Sequence, residues 1–123
     1  MNTSELRIGN TVQHKTNKEV VNVIHVLENH IGYHNKLLSM KCIDALASNF
    51  EPIHLTEEYI LRFGFEWKNN GLRNKNICIR QFGGAYCLFL SNESLSFEKR
   101  LEFVHQLQNL YFAVVGEELV LQD

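Results

Sequence analysis

The chain has 123 residues, 45% of them apolar and 21% charged, enough for one ordinary globular core, so a single domain spanning 1–123 is expected. A net charge of −2 gives no overall field for nucleic acid or an anionic membrane, and no window approaches the ~18 apolar residues of a membrane span. Three cysteines (Cys42, Cys78, Cys87) are an odd set without CxxC spacing, which argues against a disulfide scaffold or zinc ribbon and for a reducing compartment. The opening "MNTSELRIGN" has no apolar signal core, so a cytoplasmic protein without a membrane partner is expected.

In chain order, "ELRIGNTVQHK" reads as a strand entered through a Gly-Asn turn. "EVVNVIHVL" is a β-branched strand, and "HIGYHNK" returns after a turn near Glu28-Asn29. Residues 37–50 fit a short helix or an irregular strand equally well. "PIHLTEEYILRFGF" predicts a two-turn helix with Thr56 as N-cap, Glu57 and Glu58 in its first turn and Gly64 as its stop. "FEW" starts a strand, "KNNGL" turns, and "NICIRQF-GG-AYCLFL" is a hairpin closed by Gly83-Gly84. That turn sets Ile79 opposite Leu88 and Ile77 opposite Leu90, with Cys78, Arg80, Phe82, Cys87 and Phe89 on the other face. Both faces are largely apolar, which predicts a central hairpin covered on both sides.

"SNESLS" then leads into a long helix from Phe97 to about Val115, stopped by Gly116, and "ELVL" is expected to add an edge strand. With Val104 at zero and 100° per residue, the apolar side chains of this helix fill an arc of about 200°, which predicts a mostly buried helix. Glu102, Gln106 and Asn109 fall on the solvent side. Gln108 falls near +40°, inside the apolar arc, and His105 near +100°, at its border. An unpaired buried amide costs about 1–3 kcal/mol, so Gln108 is expected to bond to neighbouring backbone, or to line a pocket together with His105.

Charge is unevenly spread. Residues 62–92 carry Arg62, Lys68, Arg73, Lys75 and Arg80 against Glu66 alone, a balance of +4. These cations interleave with Phe65, Trp67 and Phe82, and cations with aromatic faces suit phosphates and bases. The candidate ligand residues are therefore Trp67, Arg73, Lys75, Arg80, His105 and Gln108. Five cations are few for duplex binding, where about 6–10 phosphate contacts are usual. His25, His30 and His34 share one face of the first hairpin, but Val23 and Leu27 lie among them and no Asp or Cys completes a metal set, so no metal is expected. Without a GxxxxGK[ST], HExxH, GxSxG or CxxC motif, no enzyme and no cofactor is expected.

At "ELRIGN", "EPIHLTEEYILRFGFE" and "VHQLQNLYFAVVGEEL" the chain resembles a family of small uncharacterised proteins of Bacteroidetes and their phages. The pattern there is an LRIGN-like start, a PIPLTEEWL-like middle and a VHQLQNLYFALTGEEL-like end; His54 and Tyr59 depart from it. The resemblance implies a phage or mobile-element accessory protein working in the host cytosol. The combined expectation is an α+β fold: antiparallel strands, small-barrel-like at the N-terminus, a central hairpin, one short helix, and one long C-terminal helix on the sheet. Its function is expected to be non-enzymatic sequestration of a nucleotide-type, phosphate-bearing signalling ligand of host defence. The alternatives are a nucleic-acid or replication accessory protein and a protein inhibitor of a host factor, with self-association also open.

Overall fold

Alternating apolar and polar residues build two antiparallel sheets of five strands, one in each of the two units into which the chain divides, Met1–Ile53 and His54–Asp123. Among the described residues there are two α-helices, both in the second unit, and the fold is α+β. The structure is a computed structural model that describes residues 3–34, 42–68, 70–75, 77–90 and 98–122. Among these residues no helix is long and apolar enough to cross a membrane.

In the first unit the strands are β1 (Thr11–His14), β2 (Val20–Val26), β3 (His30–His34), β4 (Cys42–Leu46) and β5 (Phe50–Pro52), in the order β4-β3-β2-β1-β5. Strand β1 begins later than "ELRIGN" suggests. A 3-10 turn occupies Thr3–Glu5, and the Asn10 side chain accepts from the Arg7 N–H at 2.6 Å, closing a turn just ahead of Thr11. The ambiguous stretch resolves from residue 42 onward into β4, a 3-10 turn Ala47–Asn49 and β5, while 37–41 lie outside the described residues. Strands β4 and β5 are the two ends of the sheet order, yet that 3-10 turn alone separates them. The sheet must therefore roll until its ends approach, which is the barrel-like form expected. Val12, Val21, Val23, Ile31, Ala47 and Phe50 fill its interior. A register shift between Val23 and His25 bends β2 and lays the His25 ring over Gly32, where a Cβ would lie 2.3 Å from it.

The second unit opens with α1 (Glu57–Arg62), capped by Thr56, whose hydroxyl accepts from the Tyr59 N–H at 3.4 Å. A meander follows: β6 (Glu66–Lys68), β7 (Gly71–Asn74), β8 (Ile77–Phe82), β9 (Ala85–Leu90) and β10 (Glu98–Leu101), ordered in space as in the chain. The hairpin register is as the Gly-Gly turn predicts, with Ile79 opposite Leu88 and Ile77 opposite Leu90. Both glycines have positive φ, 54° and 85°, the geometry that matches the twist of a two-residue hairpin.

Three expectations need correcting here. "GLRN" is a strand of its own, β7, because Leu72 and Arg73 pair with both β6 and β8. The long helix α2 spans Val104–Val115 and does not reach back to Phe97: Glu98–Leu101 pair with β9, and Gln106 then caps the helix by accepting from the Glu102 and Phe103 N–H groups at 2.8 and 3.0 Å. The tail "ELVL" adds no strand; Leu119 is buried beneath α2 and the Gln122 N–H donates to the Arg62 carbonyl at 2.6 Å.

Helix α2 covers one face of the meander. Its Tyr111 hydroxyl donates to Asn74 Oδ1 at 3.3 Å, and Asn74 is in register with Ile77, so α2 lies on the side of Leu72, Ile77, Ile79, Leu88 and Leu101, all buried. The buried residues of α2 are Val104, His105, Leu107, Gln108 and Tyr111, while Phe112 and Val114 are exposed, so the buried arc is narrower than 200° and displaced toward His105. Arg80 is exposed on the opposite face, although Cys78 and Cys87 beside it are buried, unbonded thiols.

Candidate ligand cleft and cationic sheet face

The predicted site residues divide between two sides of the sheet. Arg73 and Arg80 stand on the face away from α2, with Arg73 Nε donating to the Lys68 carbonyl at 2.9 Å and the Arg80 guanidinium 5.8 Å from the Phe89 ring centre. Trp67 is in register with Leu72 and so belongs to the α2 side, at the edge strand β6, where it is 60% exposed. Lys75, in the β7–β8 turn at φ 55°, is ion-paired with Glu117, a bond that raises its pKa above the ordinary lysine value. His105 is buried and stacks at 12° on Phe103, 5.8 Å between centres. Gln108, 1% exposed, donates through Nε2 to the Leu119 carbonyl at 3.3 Å and so ties the C-terminal tail to the helix. The six do not converge on one ligand.

A different set does converge. At the turn end of the β8–β9 hairpin lies a cleft of about 390 Å³, lined by His54, Leu55, Tyr86, Arg100, Leu101, Glu102, Gln106 and the Gly84-Ala85 turn. Each wall has a local cause. The Leu55 N–H donates to the Glu102 carbonyl at 2.9 Å and His54 bridges to Phe103, which fixes the 54–55 segment along the start of α2. The His54 ring rests on Phe103, 5.0 Å between centres. Tyr86 is in register with Leu101, and Gln106 is anchored by its capping bonds. The cleft thus offers a guanidinium, a carboxylate, a carboxamide, an imidazole and a phenol ring, and its volume lies within the ~300–1,000 Å³ usual for small-ligand sites.

Arg100 links this cleft to the sheet face away from α2. It is in register with Cys87, and Cys87 with Arg80. Continuing the register, Arg80 is opposite Gly71 and Gly71 opposite Lys68. The neighbouring row carries Phe89, Cys78 and Arg73, with Glu98 and Glu66 at its two ends by register. Gly71 makes the cationic row possible: a Cβ there would lie 2.5 Å from Cys78 Sγ and 3.4 Å from Arg80 Cγ. Among the described residues none of Lys68, Arg73, Arg80 and Arg100 is in an ion pair, in contrast to Lys18 with Glu51 and Lys75 with Glu117.

Reasoning from sequence passes over His54, Tyr86, Arg100, Glu102 and Gln106 as ligands. Arg100 and Glu102 sit in what reads as one helix, and their positions depend on β10, which the helical period conceals. Among the described residues no three His, Cys, Asp or Glu side chains form a metal-binding group. Comparison with protein families, with characterised proteins and with solved structures finds no match for this chain.

Proposed function

We propose that this protein is a non-enzymatic binding protein that sequesters a nucleotide-type, phosphate-bearing ligand, held in the cleft at the end of the β8–β9 hairpin. The observation that carries the reading is the cleft itself, which sets Arg100 beside Tyr86, His54, Glu102 and Gln106 in a space of nucleotide size. Arg100 bonds a phosphate, Tyr86 or His54 offers a ring face to the base, and Glu102 accepts from ribose hydroxyls. A role as a phage or mobile-element accessory acting on host defence is supported by the resemblance of the "ELRIGN", "EPIHLTEEYILRFGFE" and "VHQLQNLYFAVVGEEL" blocks. A second reading, inhibition of a host protein, is favoured by Trp67, 60% exposed on edge strand β6.

Calorimetric titration with linear and cyclic nucleoside phosphates tests the first reading. Binding is expected, and Arg100→Ala is expected to weaken it about 10- to 150-fold, the equivalent of a charge-assisted bond of about 1.5–3 kcal/mol. Equal affinity for the parent nucleosides, or no heat with any nucleotide, would overturn it. Loss of host-protein capture in Trp67→Ala, with nucleotide titrations flat, would favour the second.

A further inference from the structure

The cations continue away from the cleft, across the whole sheet. Adjacent strands lie about 4.7–4.9 Å apart, so Arg80 is about 10 Å from Arg100 across the sheet and Lys68 about 19 Å. Arg73 stands in the next row, beside Phe89 and Cys78 on the same face. A single phosphate engages one or two such groups. A strand rising about 3.4 Å per stacked nucleotide needs about five to six nucleotides to span that width, and fewer when stretched. Small residues, Cys87 and Gly71, alternate with Arg100, Arg80 and Lys68 along the main row, and those three cations are exposed. Phe89 offers an aromatic ring beside the track.

Resting on the cleft reading above, we infer that the ligand is a single-stranded nucleic acid: one nucleotide occupies the cleft, and its neighbours run across Arg100, Arg80, Arg73 and Lys68 on the sheet face away from α2. Four cations are too few for a tightly held duplex, whereas a groove of cations with an aromatic ring is the usual combination for single strands.

Fluorescence anisotropy with labelled oligothymidylates of two to twelve nucleotides, and a twelve-base-pair duplex as comparison, tests this. Affinity is expected to rise with length and level off at about five to six nucleotides. With about 0.7 counterions released per neutralised phosphate, four contacts give a log–log salt slope near −2.8, or about a 50-fold loss between 50 and 200 mM salt. Arg73→Ala/Arg80→Ala is expected to halve that slope, leaving about a sevenfold loss over the same range. Lys15→Ala, which removes an exposed cation from the first unit, is expected to leave it unchanged. A mononucleotide bound as tightly as the twelve-mer would overturn this inference and keep the cleft reading. Duplex bound as well as single strand would overturn it too. If neither nucleotide nor oligonucleotide binds, both proposals fall.

Discussion

Gly71→Ala probes the packing that holds the cationic face open. An ideal Cβ at position 71 would lie 2.5 Å from Cys78 Sγ, about 0.9 Å inside the 3.4 Å of ordinary contact, and 3.5 Å from the Ile79 carbonyl oxygen. Cys78 is 2% exposed and has a single side-chain torsion, so its sulfur has little room to turn aside. Overpacking of this kind costs about 1–3 kcal/mol. Replacing glycine in a strand returns about 0.5–1 kcal/mol through the unfolded chain, so the net loss is expected to be about 0.5–2 kcal/mol. Cys78→Ala removes the sulfur and costs about 0.8 kcal/mol of buried contact. In the double variant the clash is gone, and stability should return close to wild type, with a coupling energy of about 1–3 kcal/mol against additivity. Urea unfolding of the four proteins in reducing buffer measures each term. Additive losses, or a Gly71→Ala protein as stable as wild type, would show that the Cys78 sulfur does not occupy the space glycine leaves.

Gln108→Leu keeps the volume of the side chain but leaves the Leu119 carbonyl without its donor, so a loss of about 1–3 kcal/mol in urea unfolding is expected, with mononucleotide binding unchanged. A Gln108→Leu protein of full stability would show that the bond to Leu119 contributes nothing. Gln106→Ala removes the acceptor for two N–H groups at the start of α2 and should cost about 0.5–2 kcal/mol, whereas Gln106→Glu keeps the acceptor and should unfold at or above the wild-type urea concentration. At alkaline pH two groups act in the same direction. Burial raises the Tyr111 phenol pKa above its ordinary value, and the bond to Glu117 raises Lys75. Both folded values exceed the unfolded ones, so their contributions are complete below about pH 10 and fade as pH rises through the folded values. The urea midpoint should therefore fall above about pH 10, and Tyr111→Phe should flatten the fall; an equally steep fall in that variant would point to other groups.

What was legible in the sequence follows from how local each signal is. The Gly83-Gly84 pair sets a two-residue turn, and from it the register of β8 on β9 follows, because a one-residue slip would turn Ile77, Ile79 and Leu88 away from α2. Thr56 and Gly64 bracket α1 by the same short-range logic. The burial of Gln108 was legible from angle alone, since near +40° it falls within the arc that also buries Val104, Leu107 and Tyr111. Strand β10 was not. Glu98–Leu101 continue the helical period of α2, and only the presence of β9 beside them makes pairing preferable. His105, which angle alone puts at the border of the apolar arc, is buried, with its ring stacked on Phe103 ahead of the helix. The cleft was illegible for a deeper reason. Its walls come from positions 54, 84–86 and 100–106, brought together by a β-bridge and a strand register that no short window contains.

The sheet orders described above also carry a kinetic consequence. In the second unit every strand pairs with its chain neighbours, so β6 to β10 assemble largely through short loops, each with a small closure entropy. In the first unit β5 must return to β1, pairing Phe50 with His14 across most of that unit's length. Refolding followed by hydrogen-exchange labelling should therefore protect the amides of β8 and β9 before those of β1 and β5. The face that carries Arg80 would then exist early in folding, while the first sheet is still an open ribbon.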